Sequence, residues 1–219
     1  MTLKWGKFIS LEGGEGAGKS TQASLLAETL KKEGITVFLT REPGGSIGGE
    51  EIRRLLVSGE PNRWDPLSES LLLCAARRDH WFRVIKPELS RGTWVICDRF
   101  FDSTFVYQGI GRGVRPSVLM QLHNITLGSI KPDLTLLFDV PVEVGLSRTR
   151  SRDVLVTNKE TRFEEMELDF HHRLRRGFIE RADKFRDRIV KIDASNDPQI
   201  IANTLRDIVY TRFSEEFEK

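Results

Sequence analysis

The sequence has little of what marks a secreted, metal-bound or membrane-spanning protein. It contains only two cysteines, Cys74 and Cys97, and neither stands in a CxxC or Cys/His ligand spacing. A disulfide framework and a zinc site are therefore not expected. No apolar run approaches the roughly 20 residues of a transmembrane helix, and residues 1–8 lack the apolar stretch of a signal peptide. We expect a cytoplasmic protein without a membrane partner.

A large excess of one charge is also missing. The chain carries 34 Lys plus Arg against 32 Asp plus Glu, a net charge of +2 in 219 residues. So small an excess does not favour nucleic acid as a partner, and any attraction for phosphates must come from local clusters. The length allows one substantial core, and no linker, repeat or low-complexity stretch divides it. We expect a single domain over residues 1–219.

What the chain does have is a glycine-rich stretch, residues 8–21, which reads FISLEGGEGAGKST. Gly13, Gly18, Lys19 and Ser20 complete the GxxxxGK[ST] pattern of a phosphate-binding loop, residues 13–20. Glycines let backbone N–H groups face an anion, the lysine reaches the β and γ phosphates, and the serine hydroxyl binds Mg²⁺. A glycine-rich turn that binds nothing is the alternative, and the flanking strand and helix patterns argue against it. The residues expected to bind the triphosphate are Gly13, Gly14, Glu15, Gly16, Ala17, Gly18, Lys19, Ser20 and Thr21.

Five short apolar segments predict β-strands. They cover residues 7–11, 35–40, 93–97, 133–139 and 188–193, and amphipathic stretches that predict helices alternate with them. The longest predicted helices cover residues 65–89, 163–185 and 198–217, whereas residues 102–113 have the composition of a polar, loop-rich segment. A strand, a helix and a second strand within about 35 residues form a parallel crossover. The pattern predicts a doubly wound α/β domain, with helices on both faces of the sheet and ligands at the carboxyl ends of its strands.

Three polar features accompany these elements. Asp98 follows the third apolar strand, where phosphate-loop proteins have a group that orients Mg²⁺; a helix cap is the alternative. Residues 77–80, Arg-Arg-Asp-His, form a polar block that is either a second ligand site or a solvated helix face. His171 and His172 are adjacent and lack the helical spacing of metal ligands, so no metal is assigned to them.

Residues 148–162 are cationic and weakly periodic. One interpretation is a lid over a transferring phosphoryl group, because guanidinium groups neutralise charge on its oxygens and closure excludes water. The other is a solvated helix end. A GTPase is not indicated, since residues 158–161 read Asn-Lys-Glu-Thr and not the NKxD pattern of guanine recognition. The arginines of this segment are Arg148, Arg150, Arg152 and Arg162.

Five signatures follow one another along the chain. They are LEGGEGAGKST at 11–21, TREPGG at 40–45, AARRDH at 75–80, DRFFDSTFVYQG at 98–109 and PDLTLLFDVPVEVGLSR at 132–148. In their order and spacing they resemble the thymidylate kinase family, in its bacterial form with an arginine-rich lid. The resemblance implies the fold of P-loop nucleoside monophosphate kinases and Mg²⁺-assisted, in-line transfer of the γ-phosphoryl group of ATP to dTMP, giving dTDP for dTTP synthesis. It also implies a homodimer, formed through the helices around residues 48–90 and 116–130.

The resemblance implies roles for residues that contact the sugar and the phosphate of dTMP. Glu15 matches the carboxylate that meets the 3′-hydroxyl, and Tyr107 matches a ring against the deoxyribose that disfavours a 2′-hydroxyl. Arg53 and Arg99 match residues that hold the monophosphate, a task suited to bidentate guanidinium contacts. Glu42 is carried over as an active-site carboxylate.

On the thymine side, Arg77 matches the arginine that hydrogen-bonds a ring carbonyl, and Thr104 and Gln108 match polar groups at the pyrimidine edge. Two positions depart from the usual family pattern. Leu73 replaces a phenylalanine that stacks on thymine, a contact worth about 1 kcal/mol. Phe100 stands where tyrosine or histidine often follows the Asp-Arg pair. We expect a changed affinity for dTMP and the same reaction.

The residue at position 16 bears on which arginines assist the transfer. In one class of the family this loop position is an arginine, whereas here it is Gly16, so the resemblance shifts the role to the lid, with Arg148 and Arg152 as first choices. Two other functions stay open, a kinase for another nucleoside or nucleotide and a regulatory module that binds a triphosphate without turnover. The expected catalytic residues are Lys19, Arg99, Arg148, Arg152 and Glu15, and the expected ligands of Mg²⁺ are Ser20 and Asp98.

Overall fold

A parallel sheet forms the centre of the molecule, and its five strands follow the order β2-β3-β1-β4-β5. The computed structural model describes residues 4–60, 62–153, 162–163 and 166–217. Each strand begins and ends within about two residues of its predicted position, because short apolar runs bounded by turn residues are a local signal. The strands are β1 (Phe8–Gly13), β2 (Val37–Arg41), β3 (Trp94–Asp98), β4 (Leu134–Asp139) and β5 (Ile189–Asp193). The predicted fold class is confirmed.

Helices cover both faces of this sheet. Two π-helical turns, Trp81–Ile85 and Phe105–Gly111, interrupt or extend them, and a 3₁₀ turn, Ser214–Glu216, closes the described chain. No helix among the described residues is long and apolar enough to cross a membrane. The helices of the described residues are α1 (Lys19–Lys32), α2 (Ile47–Val57), α3 (Pro66–His80), α4 (Lys86–Ser90), α5 (Phe101–Thr104), α6 (Pro116–Leu127), α7 (Val142–Asp153), α8 (Leu168–Lys184) and α9 (Pro198–Arg212).

The structure corrects the prediction for residues 102–113. This polar segment is not a loop, because α5 and the following π-helical turn cover it as far as Gly111. Asp102, Ser103 and Gln108 are buried, so their side chains face protein partners inside the molecule. Polar residues and glycines favour a loop only when no internal partner is available, and a single sequence does not show those partners.

Two apolar layers hold the sheet, one on each face. Successive residues of a strand point to opposite faces, so Phe8 packs against Trp81 and Phe100, with ring centroids 5.8 and 4.9 Å apart. Its neighbour Ile9 points to the opposite face and belongs to the other layer. That layer lies beneath α1 and α9 and contains Leu26 and Leu205. Burial on both faces explains why the strands are continuously apolar.

The register of the central strands brings the site together. Residues at the carboxyl end of β1 lie beside those of β3 and β4, with Leu11 opposite Asp98 and Gly13 opposite Phe138. On the far side of β3, Asp98 lies opposite Arg41, the last residue of β2. The loops that follow β1, β2 and β3 therefore open on one edge of the sheet, as the crossover pattern predicts.

Candidate active site

The glycine-rich loop joins β1 to α1 and surrounds the amine of Lys19. Gly18 has a left-handed backbone, φ +86°, directly before the first residue of the helix. The Nζ atom of Lys19 donates to the carbonyl oxygens of Gly14 at 2.8 Å and Gly13 at 3.3 Å. Burial, and then the nearby Arg99 guanidinium, lower the pKa of Lys19 to about 8. The amine is thus held inside the loop, where a phosphate oxygen would pair with it.

Ser20 and Asp98 form a pair of oxygen ligands beside this loop. The Ser20 hydroxyl donates to the Oδ2 atom of Asp98 at 2.6 Å, across the gap between the start of α1 and the end of β3. Hydroxyl and carboxylate oxygens suit Mg²⁺, which in kinases completes its shell with phosphate oxygens and water. The described residues contain no group of three or more His, Cys, Asp or Glu arranged for a metal. The two residues therefore fit an ion that arrives with a nucleotide, which supplies the remaining oxygen ligands.

Glu15, Arg99 and Tyr107 meet on the other side of the loop. The Oε1 atom of Glu15 accepts from Nη2 of Arg99 at 3.0 Å and from the Tyr107 hydroxyl at 2.7 Å. The Arg99 guanidinium also lies over the Tyr107 ring, 5.0 Å from its centroid. Burial raises the pKa of Glu15, but Arg99 and then Lys19 outweigh it and lower that pKa to about 2. Glu15 is therefore an ionised carboxylate with fixed partners.

A buried ion pair follows the end of β2. The Nε atom of Arg77, on α3, donates to Oε2 of Glu42 at 2.6 Å, and the two side chains are 4% and 3% exposed. The other oxygen of Glu42 lies 3.1 Å from Nδ1 of His80, whose Nε2 lies 2.7 Å from the Thr40 hydroxyl. In the polar block of α3, Arg77 and His80 are thus internal, and only Arg78 is fully on the surface. The solvated-face interpretation is wrong for the first and last residues of the block.

Three further predicted residues line the same pocket as Arg77 and Glu42. Arg53, on α2, donates from Nη1 to the carbonyl oxygen of Pro43 at 2.7 Å. Gln108 donates to Glu69 at 2.8 Å. The hydroxyl of Thr104 is buried and has no partner among the described residues, so it is available to a ligand in the pocket.

One pocket of about 700 Å³ connects these groups. Gly13 and Gly14 do not line it, since they face a smaller cavity behind the loop. Arg41, Phe100, Ser103 and Phe163 line it without having been assigned a ligand contact from the sequence. The predicted residues that line the pocket are Glu15, Gly16, Ala17, Gly18, Lys19, Ser20, Thr21, Glu42, Arg53, Leu73, Arg77, Asp98, Arg99, Thr104, Tyr107, Gln108 and Arg148.

Comparison with known proteins identifies the family. The family model described as thymidylate kinase matches residues 11–205. A thymidylate kinase of Caulobacter vibrioides is 51% identical over 207 residues, which cover 94% of this chain and 97% of that protein. A thymidylate kinase of Ruegeria pomeroyi is 48% identical over 209 residues, covering 95% and 97%. The chain belongs to the thymidylate kinase family.

A solved structure agrees with this assignment. The crystal structure of thymidylate kinase from Ehrlichia chaffeensis is similar with a TM-score of 0.74 and 35% identity, and the match covers 94% of this chain and 99% of that one. The predicted family and the predicted class of enzyme, an ATP-using nucleoside monophosphate kinase, are confirmed.

The structure gives a reason for glycine at position 16 in this member of the thymidylate kinase family. Gly16 has a left-handed φ of +63°, and a Cβ atom on it would lie 1.9 Å from the carbonyl oxygen of Gly145. A Cβ on Gly145, in α7, would in turn lie 2.4 Å from the carbonyl oxygen of Glu15. The loop and α7 therefore touch backbone to backbone. An arginine does not fit at position 16 in this arrangement.

Arg162 has a different position from the one expected for a catalytic lid arginine. It is 1% exposed, and its guanidinium donates to the carbonyl oxygens of Leu56 at 3.0 Å and Glu60 at 3.1 Å. Its Nη2 atom pairs with Oε2 of Glu69 at 2.6 Å. Arg162 therefore attaches its own part of the chain to α2 and α3. This position contrasts with the expected catalytic role.

Arg148 is the lid arginine whose side chain borders the pocket. It extends from α7, lines the pocket and donates from Nη1 to the carbonyl oxygen of Ala194 at 3.2 Å. The side chains of Arg150 and Arg152 lie outside the described residues, as do residues 154–161 of the expected lid.

Sequence reasoning missed Glu69, which holds Gln108 at the wall of the pocket. It is fully buried and accepts from Gln108, Arg112 and Arg162. A buried carboxylate stays charged only with such donors around it. Its place in the first turns of α3 gives no local signal, because all three partners are distant in sequence.

Proposed function

We propose that this chain transfers the γ-phosphoryl group of ATP to dTMP and releases dTDP and ADP. One observation carries the proposal: Arg99 lines one pocket together with the phosphate loop and with Arg77, Thr104 and Gln108. It bonds to Glu15 in the loop, and its guanidinium lies over the ring of Tyr107. A guanidinium in that position can hold the acceptor phosphate against the donor phosphates.

The donor half consists of the phosphate loop and its ion site. The loop residues that line the pocket, 15–21, bind the triphosphate through backbone N–H groups, and Lys19 neutralises its β and γ oxygens. Ser20 and Asp98 would hold Mg²⁺, which would supply positive charge to neutralise the same phosphates. Arg148 adds positive charge at the α7 side, and Arg152 follows it one helical turn later. The catalytic roles of both arginines stay predictions.

The acceptor half positions the phosphate, sugar and base of dTMP. Arg53 and Arg99 bind the phosphate, while Glu15 and Tyr107 contact the sugar at its 3′- and 2′-positions.

The base is read at the far end of the pocket. Arg77, Thr104 and Gln108 supply donors for the pyrimidine edge, and Leu73 packs against its face. The acceptor phosphate is already ionised at neutral pH, so the transfer needs alignment and charge neutralisation and no general base.

An acceptor panel tests the reaction. We expect ADP release with ATP and Mg²⁺ to be fastest with dTMP, and slower by about tenfold or more with dUMP, CMP, AMP and thymidine. Fast release with another acceptor would support the alternative nucleotide kinase and contradict the roles of Arg77, Thr104 and Gln108. ATP binding with no turnover on any acceptor would support the regulatory alternative instead.

We propose further that the chain forms a homodimer through α2, α3 and α6. These helices pack side by side, α3 between the other two, and they expose several large apolar side chains. Exposed apolar residues grouped on neighbouring helices are typical of an interface. The residues concerned are Ile47, Leu55, Leu67, Leu71, Met120 and Ile125.

Light scattering tests the dimer. We expect a mass of twice 25.1 kDa for the wild type and a monomer for Ile125→Asp, because Ile125 is 77% exposed and an interface would bury the new charge. Ile200→Asp is the matched control, because Ile200 is exposed on α9, which packs mainly against α1, and it should leave the mass unchanged. A wild-type mass of 25.1 kDa at micromolar concentration would contradict the proposal.

Two coarser expectations also stay predictions. The chain is expected to form a single domain, because residues that follow β1, β2 and β3 of the same sheet line the same pocket. A cytoplasmic location agrees with Cys74 and Cys97, which are both buried, free thiols.

A further inference from the structure

We propose that Glu12 is a positioning residue for the acceptor phosphate, because it holds Arg99 in the orientation that faces the phosphate loop. The proposal rests on the phosphate-binding role given to Arg99 above. Glu12 lies in β1, one residue before the loop, and is 1% exposed. It has no ligand contact of its own, since it does not line the pocket.

Arg99 needs such support because its backbone is strained. Its φ is +69°, and it is the only residue other than glycine with a positive φ in the described ranges. A side chain with a Cβ atom is disfavoured in this left-handed region, and such residues persist where surrounding contacts hold them. Strain of this kind is concentrated at ligand sites, which fits the place of Arg99 at the end of β3.

Glu12 supplies the side-chain contact that fixes this turn. Its Oε1 atom accepts from the backbone N–H of Phe100, the residue after Arg99, at 2.9 Å. On the other side, the N–H of Arg99 donates to the carbonyl oxygen of Leu11 at 2.8 Å. The two peptide groups that flank the strained residue are therefore tied to successive residues of β1.

A second contact links Glu12 to the guanidinium itself. The Ser103 hydroxyl donates to Oε2 of Glu12 at 2.5 Å, and its oxygen accepts from Nη1 of Arg99 at 3.2 Å. Because the hydroxyl proton points to Glu12, the lone pairs of Ser103 are directed to Arg99. The same Nη1 atom also donates to the carbonyl oxygen of Gly13 at 2.7 Å. The guanidinium is thus held at the base of the loop by a relay that begins at Glu12.

Burying a carboxylate at the position of Glu12 costs free energy, and a side chain that only filled space would not incur this cost. No lysine or arginine among the described residues lies within ion-pair distance of it. Burial and then the neighbouring Asp102 raise the pKa of Glu12 to about 7. An apolar or amide side chain of the same size would avoid this cost. The two oxygens of Glu12 instead accept hydrogen bonds, one from the backbone N–H of Phe100 and one from the hydroxyl of Ser103.

Ligand binding by calorimetry separates positioning from general support of the fold. In Glu12→Ala, we expect the Kd for dTMP to rise by about 10- to 100-fold, because Arg99 loses both contacts. The Kd for thymidine, which has no phosphate, should change by less than about threefold. Equal weakening for dTMP and thymidine would contradict the proposal.

Two variants keep the test decisive. Glu12→Gln retains an oxygen for the Phe100 N–H, but its amide NH₂ cannot accept from the Ser103 hydroxyl, so it should keep the turn, lose the relay and weaken dTMP binding by only about fivefold. If Glu12→Ala does not fold, Ser103→Ala removes only the relay and should weaken dTMP binding by about fivefold and thymidine binding not at all. An unchanged Kd for dTMP in Ser103→Ala would contradict the relay.

A double-mutant cycle with Arg99→Met distinguishes this proposal from the function on which it rests. If Glu12 acts through Arg99, adding Glu12→Ala to Arg99→Met should cause no further loss of dTMP affinity. Additive losses would contradict the inference alone. Unchanged dTMP affinity in Arg99→Met would contradict the proposed role of Arg99 itself.

Discussion

Replacing Lys19 with alanine is expected to lower kcat by about a thousandfold or more. Its amine is the charge held inside the phosphate loop, bonded to the carbonyl oxygens of Gly13 and Gly14. Neutralisation of the transferring phosphoryl group is most of what a kinase supplies, and removal of one such contact commonly costs two to three orders of magnitude (about 100- to 1,000-fold) or more. The rate of ADP release with saturating ATP and dTMP measures the effect.

The fold should survive this change, because Lys19 bonds only to its own loop. Lys31→Ala, at an exposed position in the last turn of the same helix α1, is the matched control and should keep the wild-type rate. Circular dichroism spectra of both variants should overlay that of the wild type. A Lys19→Ala variant with near-normal turnover would overturn the assignment of the loop.

Replacing Arg77 with methionine is expected to harm both stability and dTMP binding. Arg77 and Glu42 form a buried ion pair, and removal of one partner leaves an uncompensated charge beside His80. Breaking such a pair typically costs about 3–5 kcal/mol in the free energy of unfolding. The Michaelis constant for dTMP should also rise by about 10- to 100-fold, since a donor to the base is lost. Urea unfolding and steady-state kinetics measure the two effects.

A second substitution separates these two roles of Arg77. In the double variant Arg77→Met/Glu42→Gln the buried charge is gone, so most of the lost stability should return. The Michaelis constant for dTMP should stay high, because the new amide at position 42 does not extend to the position of the guanidinium. Recovery of dTMP binding together with stability would mean that Arg77 acts only through the ion pair.

Much of this molecule was predictable because its signals are local. The strands follow from short apolar runs, and the phosphate loop follows from Gly13, Gly18 and Lys19 in a fixed spacing. Asp98 was recognisable as a polar residue at a strand end, and the structure brings it to within 2.6 Å of Ser20. Each of these predictions needed only a window of a few residues.

What the sequence did not reveal depends on distant partners. The helical geometry of residues 102–111 is hidden because Asp102 is held by Arg181 and Arg188, some 80 residues later. Arg162 looks like one more cation of a charged segment until its contacts with Leu56 and Glu69 are known. Glu12 looks like a strand residue until the turn at Arg99 is seen. Long-range burial of polar groups cannot be read from one sequence.

The contact between Gly16 and Gly145 ties the phosphate loop to α7. The obstacle to a side chain at position 16 is the carbonyl oxygen of Gly145, a main-chain atom that no substitution at position 145 removes. An arginine could enter the loop only if α7 shifted away from it, and α7 is the helix that carries Arg148 and Arg152. A side chain at position 16 therefore requires a change of backbone as well as of sequence. In this chain the phosphate loop and α7 cannot be altered independently.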